Sequence, residues 1–142
     1  MSKVLINITG QQSDGENVED ISITTEGDMN FTESGYQIKY TESDEENNDT
    51  TTLLSVFTKD GNDCVSLDRS GMINSNMVIE KGARNTAIYN FGPLSMTVGV
   101  FGEHLLSNLC EKGGSIEMCY TVDINSVSAG RNHLKIDVTN IN

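Results

Sequence analysis

Apolar residues along this chain recur at every second position. Val4, Ile6 and Ile8 share one face of "KVLINITGQQ". Tyr36, Ile38 and Tyr40 alternate with Gln37 and Lys39. Leu94, Met96, Val98 and Val100 form a third run, and Ile116, Met118, Tyr120, Val122 and Ile124 a fourth. Leu134, Ile136 and Val138 form a fifth. A side-chain period of two is strand geometry. The opposite faces are mostly polar, which is the pattern of antiparallel sheets with one buried and one wet side.

Turn signals separate these runs at short intervals. Asp60-Gly61 in "KDGN" is a strong two-residue hairpin signal. "ESG" at 33–35, "EKGAR" at 80–84, "NFGPL" at 90–94 and "EKGG" at 111–114 mark further reversals. "TESDEENNDTT" reads as a polar, acidic connection between the Tyr40 strand and Leu53. The pattern predicts about nine or ten strands and no firm helix. One stretch stays open: in "GEHLLSNLCEKGG", Leu105, Leu106 and Leu109 form either a short helical stripe or a strand running into an irregular loop.

Many short alternating strands with tight turns predict a sandwich or a barrel. Short connections favour sequential pairing in a meander. Closing that meander removes exposed strand edges. Long runs such as 94–102 and 116–124 suit strands tilted around a barrel. The expected fold class is therefore all-β: an antiparallel meander β-barrel of 8–10 strands. No repeat or linker divides the chain, so residues 1–142 are expected to form one domain.

Composition narrows the functional classes. A chain of 142 residues buries roughly 68–70% of its unfolded surface, enough for one core without staples. Trp is absent, so aliphatic residues and Met must fill most of that core. The net charge of −12, from 21 acidic and 9 basic residues, argues against nucleic acid and against anionic membranes. It leaves solubility, basic proteins and cationic ligands. The start has no basic segment followed by a long apolar run, and no stretch approaches the roughly 20 apolar residues of a membrane helix. A cytoplasmic location is expected. Cys64, Cys110 and Cys119 are odd in number and lack a C-x-x-C spacing, so they read as reduced thiols.

The order "GDMNFTESGYQIKYTES", "TTTLLSVFTKDGNDCVSLDRSG", "MVIEKG", "FGPLSMTV" and "KGGSIEMCYTV" resembles the YwiB-like family of small bacterial proteins. The likeness runs from about residue 4 to residue 138. Its most specific pieces are Arg69-Ser70-Gly71, Phe91-Gly92 and the glycine-led start of the 116–124 strand. That start carries an extra glycine, Gly113-Gly114, so the loop from Gly102 to Gly113 is expected to differ in length from the family's. The resemblance implies a calycin-like, lipocalin-like barrel, a cytoplasmic location and an open question about a ligand. It implies no catalytic residue.

Arg69 is the first candidate. "DRSG" reads as a three-residue hairpin with Asp68 opening a type I turn and Gly71 in the left-handed region, which leaves Arg69 in water. Alternatively the strand continues, and Arg69 follows Val65 and Leu67 inward. An inward Arg needs carboxylates or carbonyls, because burying an unpaired charge costs several kcal/mol or more. Glu26, Glu33 and Glu42 are the candidate partners. A third reading makes the guanidinium a ligand anchor. Tyr36, Tyr40, Tyr89, Phe91 and Tyr120 fall mostly on the apolar parity of their strands. They either fill the barrel or line a cavity, since eight strands enclose barely enough room for one small ligand. The candidate ligand-binding set is Arg69, Tyr36, Tyr40, Tyr89 and Tyr120.

Other chemistries find less support. His104, Cys110, Cys119 and His133 carry zinc-competent groups at spacings that match no compact site. "ESDEENND" at 42–49 lacks the alternating order and central glycine of a calcium loop. There is no G-x-S-x-G elbow and no phosphate-cradling glycine loop ending in Lys-Ser/Thr. Glu117 and Asp123 share a strand face but lie roughly 20 Å apart at about 3.3 Å per residue, too far for a glycosidase pair. No catalytic residue, metal or cofactor is expected. Two roles follow: a non-enzymatic barrel that binds a small, partly apolar molecule, or a protein-interaction module using its acidic surface or an open barrel edge.

Overall fold

The alternating runs become ten strands in a computed structural model that describes residues 2–43 and 45–142. In chain order these are β1 (Ser2–Ser13), β2 (Val18–Thr32), β3 (Gly35–Ser43), β4 (Asp49–Lys59) and β5 (Asn62–Ser70). They continue as β6 (Ile73–Glu80), β7 (Arg84–Phe91), β8 (Leu94–Cys110), β9 (Gly113–Ile124) and β10 (Val127–Asn140). Each strand pairs antiparallel with its neighbour in sequence, and β1 pairs with β10 to close the barrel. The fold is an all-β antiparallel meander, as the periodicity predicts.

Closure is extensive. β1 matches β10 from Val4↔Asn140 to Ser13↔Arg131. The open-edge expectation is therefore corrected: the strands that would be edges satisfy each other. The meander sends the β1–β2, β3–β4, β5–β6, β7–β8 and β9–β10 turns to one end, here called the mouth. The other turns and both termini lie at the opposite end.

The undecided leucine stretch is strand. β8 runs on to Cys110, with an irregularity between Gly102 and His104 where one extra residue enters against β9. Such a bulge moves the inward face by one position. Val98 and Val100 point in before it, and Leu105 after it, while Leu106 is 57% exposed. This parity slip produced the helix-like spacing. Gly102 is required there, because a Cβ would lie 2.3 Å from the Glu80 carbonyl oxygen.

The inward faces form one core. Val4, Ile6, Ile38, Leu54, Val65, Ile79, Val100, Ile116 and Met118 are fully or almost fully buried. Burying such a side chain contributes about 1.5–3 kcal/mol. Away from the mouth this interior is almost wholly aliphatic. Near the mouth it changes character.

Candidate functional site

β5 does not turn at Arg69. It continues through Ser70, and Arg69 pairs with Thr52 on β4 and Ser75 on β6. The expected three-residue hairpin with Arg69 in water is thereby corrected. Gly71 is absent from the positive-φ residues. Its need is steric instead: a Cβ would meet the Asp49 carbonyl oxygen at 2.8 Å. The Gly71 N–H donates to Asn74 Oδ1 at 3.1 Å and holds the corner.

Strand parity then turns Arg69 inward, after Val65 and Leu67. The register places it in a lateral row of inward residues: Tyr40, Thr52, Arg69, Ser75, Tyr89 and Met96. Tyr120 reaches in from β9, where it pairs with Asn132. Thr52, Ser75 and Asn132 are the buried polar side chains among the described residues. All three lie beside this arginine or these tyrosines. Buried polar groups are costly unless satisfied, so their clustering marks one specialised zone. No buried side-chain nitrogen or oxygen there lacks a hydrogen-bond partner.

The zone borders a cavity of about 300 Å³. Arg69, Tyr40, Tyr120, Thr52 and Glu42 are among its polar lining, and Ile8, Ile23, Leu134 and Ile136 among its apolar lining. A ten-stranded barrel is wider than the eight-stranded size that side chains just fill, which leaves room for this space. A second, more open depression of about 770 Å³ also includes Arg69, with Ser75, Tyr89, Met72, Ile73 and Phe91.

The electrostatics agree with the geometry. Burial pushes the Tyr120 hydroxyl up to about 12, against the opposing pull of Arg69. Burial also raises Tyr40 and Tyr89, again opposed by Arg69. Glu42 adds a smaller upward push on Tyr40. All three phenols thus stay protonated at neutral pH and remain hydrogen-bond donors.

Four of the five anticipated residues come together: Arg69, Tyr40, Tyr89 and Tyr120. Tyr36 does not. It lies beside the β2–β3 turn at the other end, edge-on to Phe31 with ring centroids 5.3 Å apart. Of the anticipated partners, only Glu42 shares the cavity. Glu26 is exposed on the outer face, and Glu33 sits in the β2–β3 turn at the far end. No carboxylate lies within ion-pair distance of Arg69 among the described residues. Sequence reasoning missed Thr52, Ser75 and Asn132. Their signal was polar residues on an otherwise apolar parity.

The cysteines are free. Cys110 ends β8 rather than lying in a loop. The register sets His104, Cys119 and His133 side by side across β8, β9 and β10, a juxtaposition the spacings concealed. His133 Nε2 instead lies 3.3 Å from Glu117 Oε1. Among the described residues no group of His, Cys, Asp or Glu side chains is placed to hold a metal ion. Within the acidic run 42–49, Asp44 lies outside the described residues.

Fold and site together define a closed ten-stranded antiparallel barrel with a polar-lined cavity near one mouth. The chain belongs to the family described as Domain of unknown function (DUF1934), whose model matches residues 6–136. It is similar to the crystal structure of ywiB protein from Bacillus subtilis, with a TM-score of 0.84 and 19% identity. That match covers 99% of this chain and 93% of the other. At this identity the likeness shows the fold, and the YwiB-like resemblance stands. No curated protein matches the chain.

Proposed function

We propose that this protein is a non-enzymatic, cytoplasmic binding barrel that takes a small, partly apolar molecule into its mouth cavity. One observation carries the reading. An inward arginine and buried phenols share about 300 Å³ of space with aliphatic side chains of β1, β2 and β10. Ligand sites are concave, mostly apolar and fitted with a few placed polar groups, and this volume lies at the lower end of their range. Three free thiols support a reducing compartment.

Thermal denaturation against a panel of small amphipaths tests the proposal. A binder present at about 100 times its Kd adds about 2.7 kcal/mol to stability and raises the melting temperature. Ile23→Trp, which fills the cavity, is expected to abolish that rise while the barrel stays folded. A panel that moves neither protein would overturn the reading.

A second reading has its own observation. Met72, Ile73, Phe91 and Leu94 are exposed apolar residues on adjoining turns at the mouth, with Met72 69% and Leu94 70% exposed. Exposed apolar clusters often mark interaction sites. A protein partner would then cap the mouth, and Leu94→Glu would block its capture without changing small-molecule binding.

A further inference from the structure

The chain has three arginines, and it treats one of them differently. Arg84 grips Asp123 through Nε at 3.0 Å and Nη2 at 2.8 Å. Arg131 holds Glu103 through Nε at 2.9 Å and Nη2 at 3.5 Å. Both are on the outside, where pairing matters least. Arg69 is the one that points into the barrel, and among the described residues it has no carboxylate within ion-pair distance. With 21 acidic residues in the chain, an acid beside it would be easy to supply.

We propose that the mouth cavity takes a small monoanionic amphipath, a carboxylate with an apolar tail, whose head is held by Arg69, Tyr40 and Tyr120 and whose tail lies along Ile8, Ile23, Leu134 and Ile136. This rests on the ligand-binding reading above and names the ligand's chemistry. A guanidinium presents a planar fork that matches a carboxylate's two oxygens. The phenols stay protonated and donate. An incoming carboxylate supplies the ion-pair partner that the described residues do not place beside Arg69. The aliphatic side chains of β1, β2 and β10 take the tail.

Glu42 limits the head group. It lines the same cavity without pairing with Arg69, and its carboxylate repels added negative charge. A monoanion paired directly with the guanidinium meets that repulsion once, whereas a dianion meets it twice over. An amine head would be repelled by Arg69 and could pair only with Glu42, so it binds more weakly than a carboxylate. The volume of about 300 Å³ restricts the tail to a short chain or one ring.

Matched probes of equal length separate the head group from the tail. Octanoate, octanol, octylamine and octyl phosphate are titrated calorimetrically against the full chain. Octanoate is expected to bind at least tenfold more tightly than octanol, octyl phosphate or octylamine. Arg69→Gln should bring octanoate down to the level at which the same variant binds octanol. Arg69→Lys, which keeps the charge and loses the fork, should fall between. Glu42→Gln should tighten octanoate several-fold. If octanol matches octanoate, or if Arg69→Gln preserves the preference, the anionic head is wrong while the cavity reading survives. If none of the probes binds the folded protein, both readings fall.

Discussion

The two ends of this barrel are built from the same repeating strand and differ in what they put inside. Away from the mouth, the interior is Val4, Met29, Ile38, Leu54, Val65, Ile79, Ile116 and Val138, all at most 4% exposed. Toward the mouth, the same inward parity carries Tyr40, Thr52, Arg69, Ser75, Tyr89, Tyr120 and Asn132. Aliphatic burial needs no partner and stabilises in proportion to area. Each buried polar group needs a partner, and a charge needs one most. A fold selected only for stability would continue the aliphatic filling upward. The contrast teaches that one end holds the barrel together and the other is free to be specific.

The largest expected effect is at the aliphatic end. Ile116→Ala removes a fully buried side chain from the core and should cost about 2–5 kcal/mol. Urea denaturation measures it. A cost below about 1 kcal/mol would break the division of labour between the two ends.

Gly102→Ala comes next. The new Cβ would press on the Glu80 carbonyl oxygen, backbone that cannot rotate away. A loss of about 1–3 kcal/mol is expected, together with faster amide exchange along 102–106, where the bulge sets the register. Unchanged exchange there would separate the glycine from the bulge.

These two sites also show what the sequence made legible. Parity was readable wherever the strands were regular. The inward sets beginning at Val4, Ile38, Ile116 and Leu134 are the observed core. Parity does not give height, so Tyr36 and Tyr40 looked equivalent although they lie toward opposite ends. A bulge was not readable either. One extra residue at Glu103 shifted Leu105 inward, and it set His104 opposite Cys119. Arg69 was half readable: its parity was correct, but Gly71 resembled a turn glycine when close approach to Asp49 is its reason. Closure of β1 on β10 joins residues at opposite ends of the chain, and no local pattern encodes it.

A smaller effect tests the mouth itself. Arg69→Met keeps an unbranched apolar stem and removes the charge. Were Arg69 half of a structural ion pair, breaking it would cost 3–5 kcal/mol. With no such pair among the described residues, stability should stay within about 1 kcal/mol of the parent, or rise, since functional sites often hold stability in reserve. Chemical denaturation decides the matter. A loss in the ion-pair range would return Arg69 to a structural role and erase the difference between the two ends.

The smallest effect concerns one ion pair on the outer face, Arg84 with Asp123. Hydrogen bonds from the Arg84 guanidinium hold the Asp123 carboxyl below the usual carboxylate range. A carboxyl whose pKa is lowered by folding stabilises the protein above its unfolded pKa, about 3.9. That contribution disappears as pH falls through the folded value. Arg84→Met should therefore be slightly less stable than the parent at neutral pH, and the gap should close as the solution becomes more acidic than about pH 4. Added salt should narrow it at neutral pH, because the pair is solvent-exposed. Denaturation midpoints across pH and salt give the measurement. A gap that persists in acid would mean Arg84 acts through its packing over Gly99, which a Cβ at that glycine would disturb, and not through its charge.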